Sequence, residues 1–95
     1  MNIGIVGLGL IGGSMARAYR EYSNEMNLGF EIFGADKNRT IIDFARLEGT
    51  LDGELDSITL PSCDLVFIAL YPVAAIKYLE DNSSLFKSGA VVIDL

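Results

Sequence analysis

The sequence contains no histidine and no tryptophan, and Cys63 is its only cysteine. The absence of histidine removes the side chain that most often acts as a general acid or base and as a metal ligand. With a single cysteine, the chain can form no intramolecular disulfide and no metal site built from cysteines. Because Cys63 stands at the start of an apolar segment, we expect it to be a small buried side chain.

Basic residues and long apolar runs are also scarce. The 95 residues include 7 Lys and Arg against 13 Asp and Glu, which gives a formal net charge of −6. Since no basic cluster offsets this charge, a nucleic-acid partner is not expected. The longest apolar runs have the length of strands, and the apolar N-terminus lacks a basic region and is broken by glycines. The sequence therefore predicts neither a membrane span nor a signal peptide, and we expect a cytoplasmic protein.

Glycine, by contrast, is concentrated near the N-terminus. A short apolar strand is followed by Gly7, Gly9 and Gly12 in the spacing G-x-G-x-x-G. For a bound dinucleotide, Gly7 would make the tight turn, Gly9 would leave room for the pyrophosphate, and Gly12 would let a helix pack against the strand. The N–H groups of Leu10 and Ile11 would face the phosphates. The predicted cofactor loop comprises Gly7, Leu8, Gly9, Leu10, Ile11 and Gly12.

A helix is predicted directly after these glycines, over residues 10–22. Apolar residues recur in it at helical spacing and would form its inner face, namely Ile11, Met15, Ala18, Tyr19 and Tyr22. The charged residues between them, Arg17, Arg20 and Glu21, are expected on the outer face. The polar residues 23–29 predict a loop.

An acidic residue, Asp36, ends the second predicted strand. It follows Gly12 by 24 residues, close to the interval of roughly 20 that is typical of the carboxylate that binds an adenosine ribose. Lys37 and Arg39 come directly after it and could hold a 2′-phosphate, which the carboxylate would repel. Because Asp36 occupies the place of the ribose diol, the sequence favours NAD over NADP.

The second half of the chain continues the alternation of helices and strands. Asn38 is the expected N-cap of a helix over residues 39–47, with Ile41, Ile42, Phe44 and Ala45 on its inner face. An acidic segment follows, for which we predict a solvated loop rather than a cation site, with one short strand near residues 57–60. The apolar run at residues 64–70 predicts a buried parallel strand. Pro72 then suits the first turn of a helix with Ala74, Ala75, Ile76 and Leu79 on its inner face.

The turn after the buried strand is predicted to line the cofactor cleft. In a doubly wound sheet this turn lies beside the first glycine loop, which adds Leu70, Tyr71 and Pro72 to the candidate site. Tyr71 could contact the nicotinamide side or could cap the helix. The whole pattern predicts an α/β, Rossmann-type, doubly wound parallel sheet of about five strands in the order 3-2-1-4-5.

One domain, covering residues 1–95, is expected from this length. A last apolar strand is predicted from Ala90, and the chain stops at its carboxyl end, at Leu95. Because ligand-binding residues usually follow such strands, we expect these residues to be the front part of a longer protein. A helical domain for substrate binding and dimerisation would then lie outside this chain.

Four stretches resemble the N-terminal part of prephenate dehydrogenase, the enzyme of tyrosine and hence aromatic amino acid biosynthesis. The first is Val6-Gly-Leu-Gly-Leu-Ile-Gly-Gly-Ser, with a doubled glycine and a serine. The second is Phe33-Gly-Ala-Asp-Lys-Asn. The third and fourth are Ser62-Cys-Asp-Leu-Val-Phe-Ile-Ala-Leu-Tyr-Pro-Val and Lys87-Ser-Gly-Ala-Val-Val-Ile-Asp. The resemblance covers essentially the whole chain.

The resemblance implies an oxidoreductase that oxidatively decarboxylates prephenate to 4-hydroxyphenylpyruvate, with hydride transfer to NAD or NADP. Prephenate is the implied small-molecule substrate, arogenate remains an alternative, and the whole protein is expected to be a homodimer. The family's catalytic histidine and serine, and its substrate-binding arginines, have no counterpart in these residues. The chain alone is therefore expected to bind NAD weakly and to be inactive, with no catalytic residue and no metal ligand of its own.

Two other interpretations are compatible with the sequence. One is a different dehydrogenase of the same architecture, such as an imine reductase or a 3-hydroxy acid dehydrogenase. The other is a module without catalysis that senses the NAD/NADH ratio for a partner. A histidine-bearing segment followed by a helical, arginine-containing domain after Leu95 would favour prephenate over the other dehydrogenases. A DNA-binding or channel-associated domain elsewhere in the full protein would support the sensing module.

Overall fold

The first strand, β1 (Asn2–Val6), lies at the centre of a five-stranded parallel sheet. A computed structural model describes residues 1–95 and gives the strand order β3-β2-β1-β4-β5. The other strands are β2 (Glu31–Ala35), β3 (Gly53–Glu54), β4 (Leu65–Ile68) and β5 (Val91–Asp94). The helices are α1 (Leu10–Met26), α2 (Arg39–Leu47) and α3 (Pro72–Asn82), with short 3₁₀ turns at Leu60–Ser62 and Ser83–Leu85. The predicted fold class and strand order are confirmed.

Apolar side chains cover both faces of this sheet, as a parallel sheet requires. On one face, β1, β2 and β4 pack with α1 and α2 around a core formed by Ile3, Ile5, Leu8, Ala16, Ile32, Ile42, Leu51 and Phe67. On the other face the core is completed by α3 and the segment before β4, with Val6, Leu55, Leu60, Cys63, Val66, Ile68 and Ala75. No helix of the chain has both the length and the apolar character needed to cross a membrane.

Helix α1 is one turn longer than predicted, and a different face of it points inward. It extends to Met26, where Asn27 adopts the left-handed conformation and ends it. Its buried residues are Gly12, Gly13, Ala16 and Ser23, whereas Ile11, Ala18 and Tyr22 are exposed. The predicted inner stripe was therefore wrong at these three positions. Small residues face the sheet because the helix lies very close to it.

Arg20 of α1, expected on the outer face, is mostly buried instead. It forms an ion pair with Asp52, and its Nε donates to the carbonyl oxygen of Thr50 at 3.2 Å. Asp52 also accepts a 2.8 Å hydrogen bond from the backbone N–H of Ile32. A second ion pair, between Lys87 and Asp64, lies at the same end of the sheet and holds the pKa of Asp64 below its usual value. The first pair connects α1 to the segment before β3, and the second connects the segments before β4 and β5.

The third strand lies earlier in the chain than expected, at Gly53–Glu54 rather than near residues 57–60. The carboxylate of Asp56 accepts 2.9 Å hydrogen bonds from the N–H groups of both Ile58 and Thr59. This side-chain-to-backbone pairing folds the segment into a turn, which excludes a strand there.

Two further expectations about burial are corrected in the second half. In α3, Ala75 is buried as predicted, but Ala74 and Ile76 are exposed. In α2, Ile42 is buried while Phe44 is exposed. The last strand, β5, is the edge of the sheet, and all four of its residues are exposed. Helix α2 itself has the predicted bounds, and Asn38 caps it by accepting from Thr40 N–H at 3.0 Å.

Cys63 is confirmed as a buried side chain, with 0% of its surface exposed. Burial raises the pKa of its thiol from 9.0 to about 11, and the adjacent Asp64 carboxylate adds to this shift. The folded state therefore favours the protonated thiol, and this contribution to stability is complete below pH 9 and lost as the pH rises towards about 11.

We therefore predict that iodoacetamide alkylates Cys63 at least ~100-fold more slowly in the folded chain than in urea at pH 8, because the thiolate is both shielded and disfavoured. Mass spectrometry of the modified fraction against time gives both rates. Equal rates in the folded and unfolded chains would contradict the burial of this side chain.

Candidate dinucleotide-binding cleft

The glycine loop joins β1 to α1 with almost no space between the backbones. Gly7 has a φ of +90°, and a Cβ built on it would lie 2.4 Å from the carbonyl oxygen of Ala69. A Cβ on Gly12 would lie 1.8 Å from the carbonyl oxygen of Gly7. Only glycine fits at either position, since both clashes are with backbone atoms. The first turn of α1 is thus pressed against the ends of β1 and β4.

Gly9 differs from these two glycines because a Cβ there would meet no protein atom within 4 Å. Packing within the chain therefore does not require glycine at this position. The N–H groups of Leu10 and Ile11 form no hydrogen bond within the protein, and the first turn of α1 has no side-chain cap and no acidic residue. These donors stand at the positive end of a 17-residue helix.

Asp36 is bound to the glycine loop by its side chain. Its Oδ2 accepts a 2.8 Å hydrogen bond from the N–H of Leu8, and its Oδ1 accepts one of 2.8 Å from the N–H of Asn38. Each carboxylate oxygen can accept a further hydrogen bond. The Leu8 N–H is therefore engaged by Asp36 and is not available to a ligand, and the Leu8 side chain is buried in the core.

The two cations after Asp36 have different surroundings. Lys37 is exposed and forms no ion pair, whereas Arg39 lies 2.6 Å from the carboxylate of Glu54 and 4.0 Å from that of Asp43. Glu54 belongs to β3, opposite Gly34 of β2. The guanidinium is therefore held at the outer strand of the sheet.

The turn after β4 lies beside the glycine loop, as predicted. Ala69 N–H donates to the carbonyl oxygen of Val6 at 2.8 Å, and a Cβ on Gly7 would touch the side chain of Leu70 at 2.9 Å. Pro72 is the first residue of α3. Tyr71 is the N-cap residue by position, but its side chain makes no capping hydrogen bond and is 89% exposed. Its ring is therefore exposed to solvent and does not cap the helix.

Three kinds of group thus lie side by side at the carboxyl ends of β1, β2 and β4. Gly9 offers room for a close approach to the backbone, Leu10 and Ile11 offer free N–H donors, and Asp36 offers carboxylate acceptors. A pyrophosphate needs the first two, and a ribose diol needs the third. These residues fit a dinucleotide.

Contacts in the structure join the glycine loop to Asp36 and to Leu70, and two predicted site residues have partners within the protein. Leu8 contributes its N–H to Asp36 rather than to a ligand, and Arg39 is paired with Glu54. Sequence reasoning missed Glu54, because its partner is distant in the chain and its strand was misplaced. It also missed that Asn38 donates to Asp36, although the spacing Asp-x-Asn is compatible with such a turn.

Two other hollows, of about 390 and 370 Å³, lie along α2. The first is bordered by α2 and the segment before β3, and the second lies between α1 and α2. Neither is lined by Gly9, Leu10 or Asp36. The second includes Leu8 of the glycine loop, but both lie apart from Leu10, Ile11 and Asp36.

Solved structures with the same fold include an arogenate dehydrogenase and a prephenate dehydrogenase. Arogenate dehydrogenase from Synechocystis matches with a TM-score of 0.86 and 26% identity, over 100% of this chain and 32% of that one. Prephenate dehydrogenase from A. aeolicus, in complex with hydroxyphenyl propionate and NAD⁺, matches with a TM-score of 0.77 and 28% identity, over 99% and 32%. The chain is a structural neighbour of prephenate and arogenate dehydrogenases. The resemblance seen in the sequence is confirmed.

Imine reductases share the architecture as well. The enzyme from Streptomyces aurantiacus matches with a TM-score of 0.76 and 23% identity, over 100% of this chain and 31% of that one, which shows the fold alone. No protein-family model and no curated protein matches the chain. The chain spans about a third of the length of the solved structures it matches.

The different surroundings of two glycines give a testable prediction about stability. We expect Gly12→Ala to lower the free energy of unfolding by about 2 kcal/mol or more, because the new methyl group displaces backbone. Gly9→Ala, its matched control, should change it by less than about 0.5 kcal/mol, since its φ of −68° suits alanine and its Cβ meets nothing. Urea denaturation followed by circular dichroism measures both. Equal losses would refute the close approach at Gly12.

Proposed function

We propose that this chain is the dinucleotide-binding part of a prephenate or arogenate dehydrogenase. The observation that carries the proposal is the placement of Asp36 and the free N–H groups of α1 on one edge of the sheet. It is supported by the structural likeness to an enzyme solved with NAD⁺. The chain shares this architecture with NAD(P)-dependent oxidoreductases.

Each part of the cleft has one task in this proposal. The N–H groups of Leu10 and Ile11 donate to the pyrophosphate, and Gly9 keeps its approach free of side-chain atoms. Asp36 accepts from the ribose hydroxyls, while its hydrogen bond to Leu8 N–H fixes the carboxylate against the loop. Leu70, Tyr71 and Pro72 border the path towards the nicotinamide. The cofactor supplies hydride acceptance, and the residues of this chain bind and orient it.

We propose NAD rather than NADP as the preferred nucleotide. The carboxylate of Asp36 repels a 2′-phosphate, and the positive charge of Arg39 is partly neutralised by Glu54 and Asp43. Lys37 is left as the only cation near Asp36 without an ionic partner. A neutral ribose diol has no such conflict with its surroundings.

The reaction itself is assigned to the whole protein. We propose oxidative decarboxylation of prephenate or arogenate by a cytoplasmic homodimer, with residues 1–95 as the nucleotide-binding portion. The matched enzymes are about three times as long as this chain, which supports a further substrate-binding part. The sequence has no histidine to act as the base.

The first test is calorimetric titration of the chain with NAD⁺ and NADP⁺ at equal ionic strength. We expect NAD⁺ to bind more tightly. Asp36→Asn should weaken NAD⁺ binding by about tenfold, because one charged acceptor for the ribose is lost. Asp81→Asn removes the same charge from α3, where Asp81 pairs with Lys77, and serves as the control. Tighter binding of NADP⁺ by the unaltered chain would contradict the preference.

The second test concerns turnover. We expect no formation of NADH when the 95-residue chain is incubated with NAD⁺ and either prephenate or arogenate, as followed by absorbance at 340 nm. The physical reason is that the chain holds no base positioned against a substrate hydroxyl. Steady production of NADH by the purified chain would show that its own residues suffice for catalysis.

A further inference from the structure

The charge of Arg39 is paired with a carboxylate of the neighbouring strand. Arg39 is the first residue of α2, three positions after Asp36, and its Nη2 lies 2.6 Å from Oε2 of Glu54. Its other contact, with Asp43 in the next helical turn, is longer at 4.0 Å. Arg39 thus lies near the ribose-binding carboxylate, but its guanidinium contacts β3.

The position of Glu54 is fixed by its backbone. Glu54 lies opposite Gly34 in the parallel pairing of β2 with β3. The next N–H, that of Leu55, donates to the Gly34 carbonyl oxygen at 2.8 Å, and Thr59 Oγ1 donates to the Glu54 carbonyl oxygen at 2.8 Å. Its side chain pairs with Arg39 and with no other cation. The carboxylate can therefore be altered without removing a hydrogen bond that holds β3.

We propose that Glu54 is a specificity-determining residue that sets the preference of this cleft for a nucleotide without a 2′-phosphate. The inference rests on the proposed function, because it assigns a partner to a group within the same cleft. An arginine beside the ribose is the usual partner of a 2′-phosphate. It binds the phosphate best when both of its terminal guanidinium nitrogens are free to donate. Glu54 engages this arginine with its carboxylate, at 2.6 Å.

The exposure of the two side chains limits the size of the effect. Arg39 is 60% exposed and Glu54 is 31% exposed, so water and salt screen their attraction. A pair of this kind biases the arginine without locking it. We therefore expect Glu54 to change the ratio of the two nucleotide affinities by about two- to fivefold, rather than to reverse it alone.

The test compares dissociation constants for NAD⁺ and NADP⁺ in the chain and in Glu54→Gln. Glutamine keeps the length of the side chain and removes its charge. NADP⁺ should bind about two- to fivefold more tightly relative to NAD⁺, because Arg39 becomes free to pair with the 2′-phosphate. Asp43→Asn, which removes the longer contact, should give a smaller change in the same direction. The NMR signal of Arg39 Nε–H should shift with NADP⁺ in Glu54→Gln.

Two controls separate this effect from a change in net charge. Asp81→Asn removes the same charge far from the cleft and should leave the ratio unchanged. The double variant Glu54→Gln/Arg39→Gln should lose the gain, since the arginine that would use the freed space is absent. Circular dichroism establishes that each variant is folded before titration.

The possible failures are distinguishable. If NAD⁺ binds and the ratio is the same in Glu54→Gln and in the unaltered chain, the role of Glu54 is refuted while the cleft remains. A gain of equal size in Asp81→Asn would also refute it. If neither nucleotide binds any variant, the proposed function fails and the inference fails with it.

Discussion

The contact on which this structure depends is the approach of the first turn of α1 to the end of β1. Gly12 lies so close to the Gly7 carbonyl oxygen that one methyl group would displace the backbone. Gly7 is in turn pressed against Ala69 at the end of β4, and its N–H donates to the Ala35 carbonyl oxygen at 2.7 Å. Three strand ends and one helix start are therefore fixed relative to each other. The glycine loop therefore has a fixed position at the carboxyl ends of β1, β2 and β4.

Charged side chains have different surroundings at the amino ends and at the carboxyl ends of the strands. At the amino ends, Arg20 of α1 forms an ion pair with Asp52 before β3, and Lys87 forms one with Asp64 before β4. At the carboxyl ends, Asp36 is held by backbone N–H groups alone and no cation neutralises it. The two N–H groups fix the position of this carboxylate against the glycine loop. The same constraint that orders the loop thus prepares the acceptor beside it.

The features that the sequence predicted well are those determined by neighbouring residues. Asn38 caps α2 through a contact two residues away, and the apolar run of β4 allows only a buried strand. The errors have distant causes. Arg20 is buried because Thr50 and Asp52 accept from it, and the inner face of α1 is set by how closely the helix approaches the sheet. The pairing of Arg39 with Glu54 depended on the register of a two-residue strand.

The most direct test of the central claim, that the strand-end groove binds a dinucleotide, is to map amide signals of the ¹⁵N-labelled chain during titration with NAD⁺. The account predicts the largest shifts at the N–H groups of Leu10, Ile11 and Gly12, which have no protein acceptor, with further shifts around Asp36. Shifts confined to the hollow between α1 and α2, around Phe44 and Glu48, or no shifts at all, would contradict it.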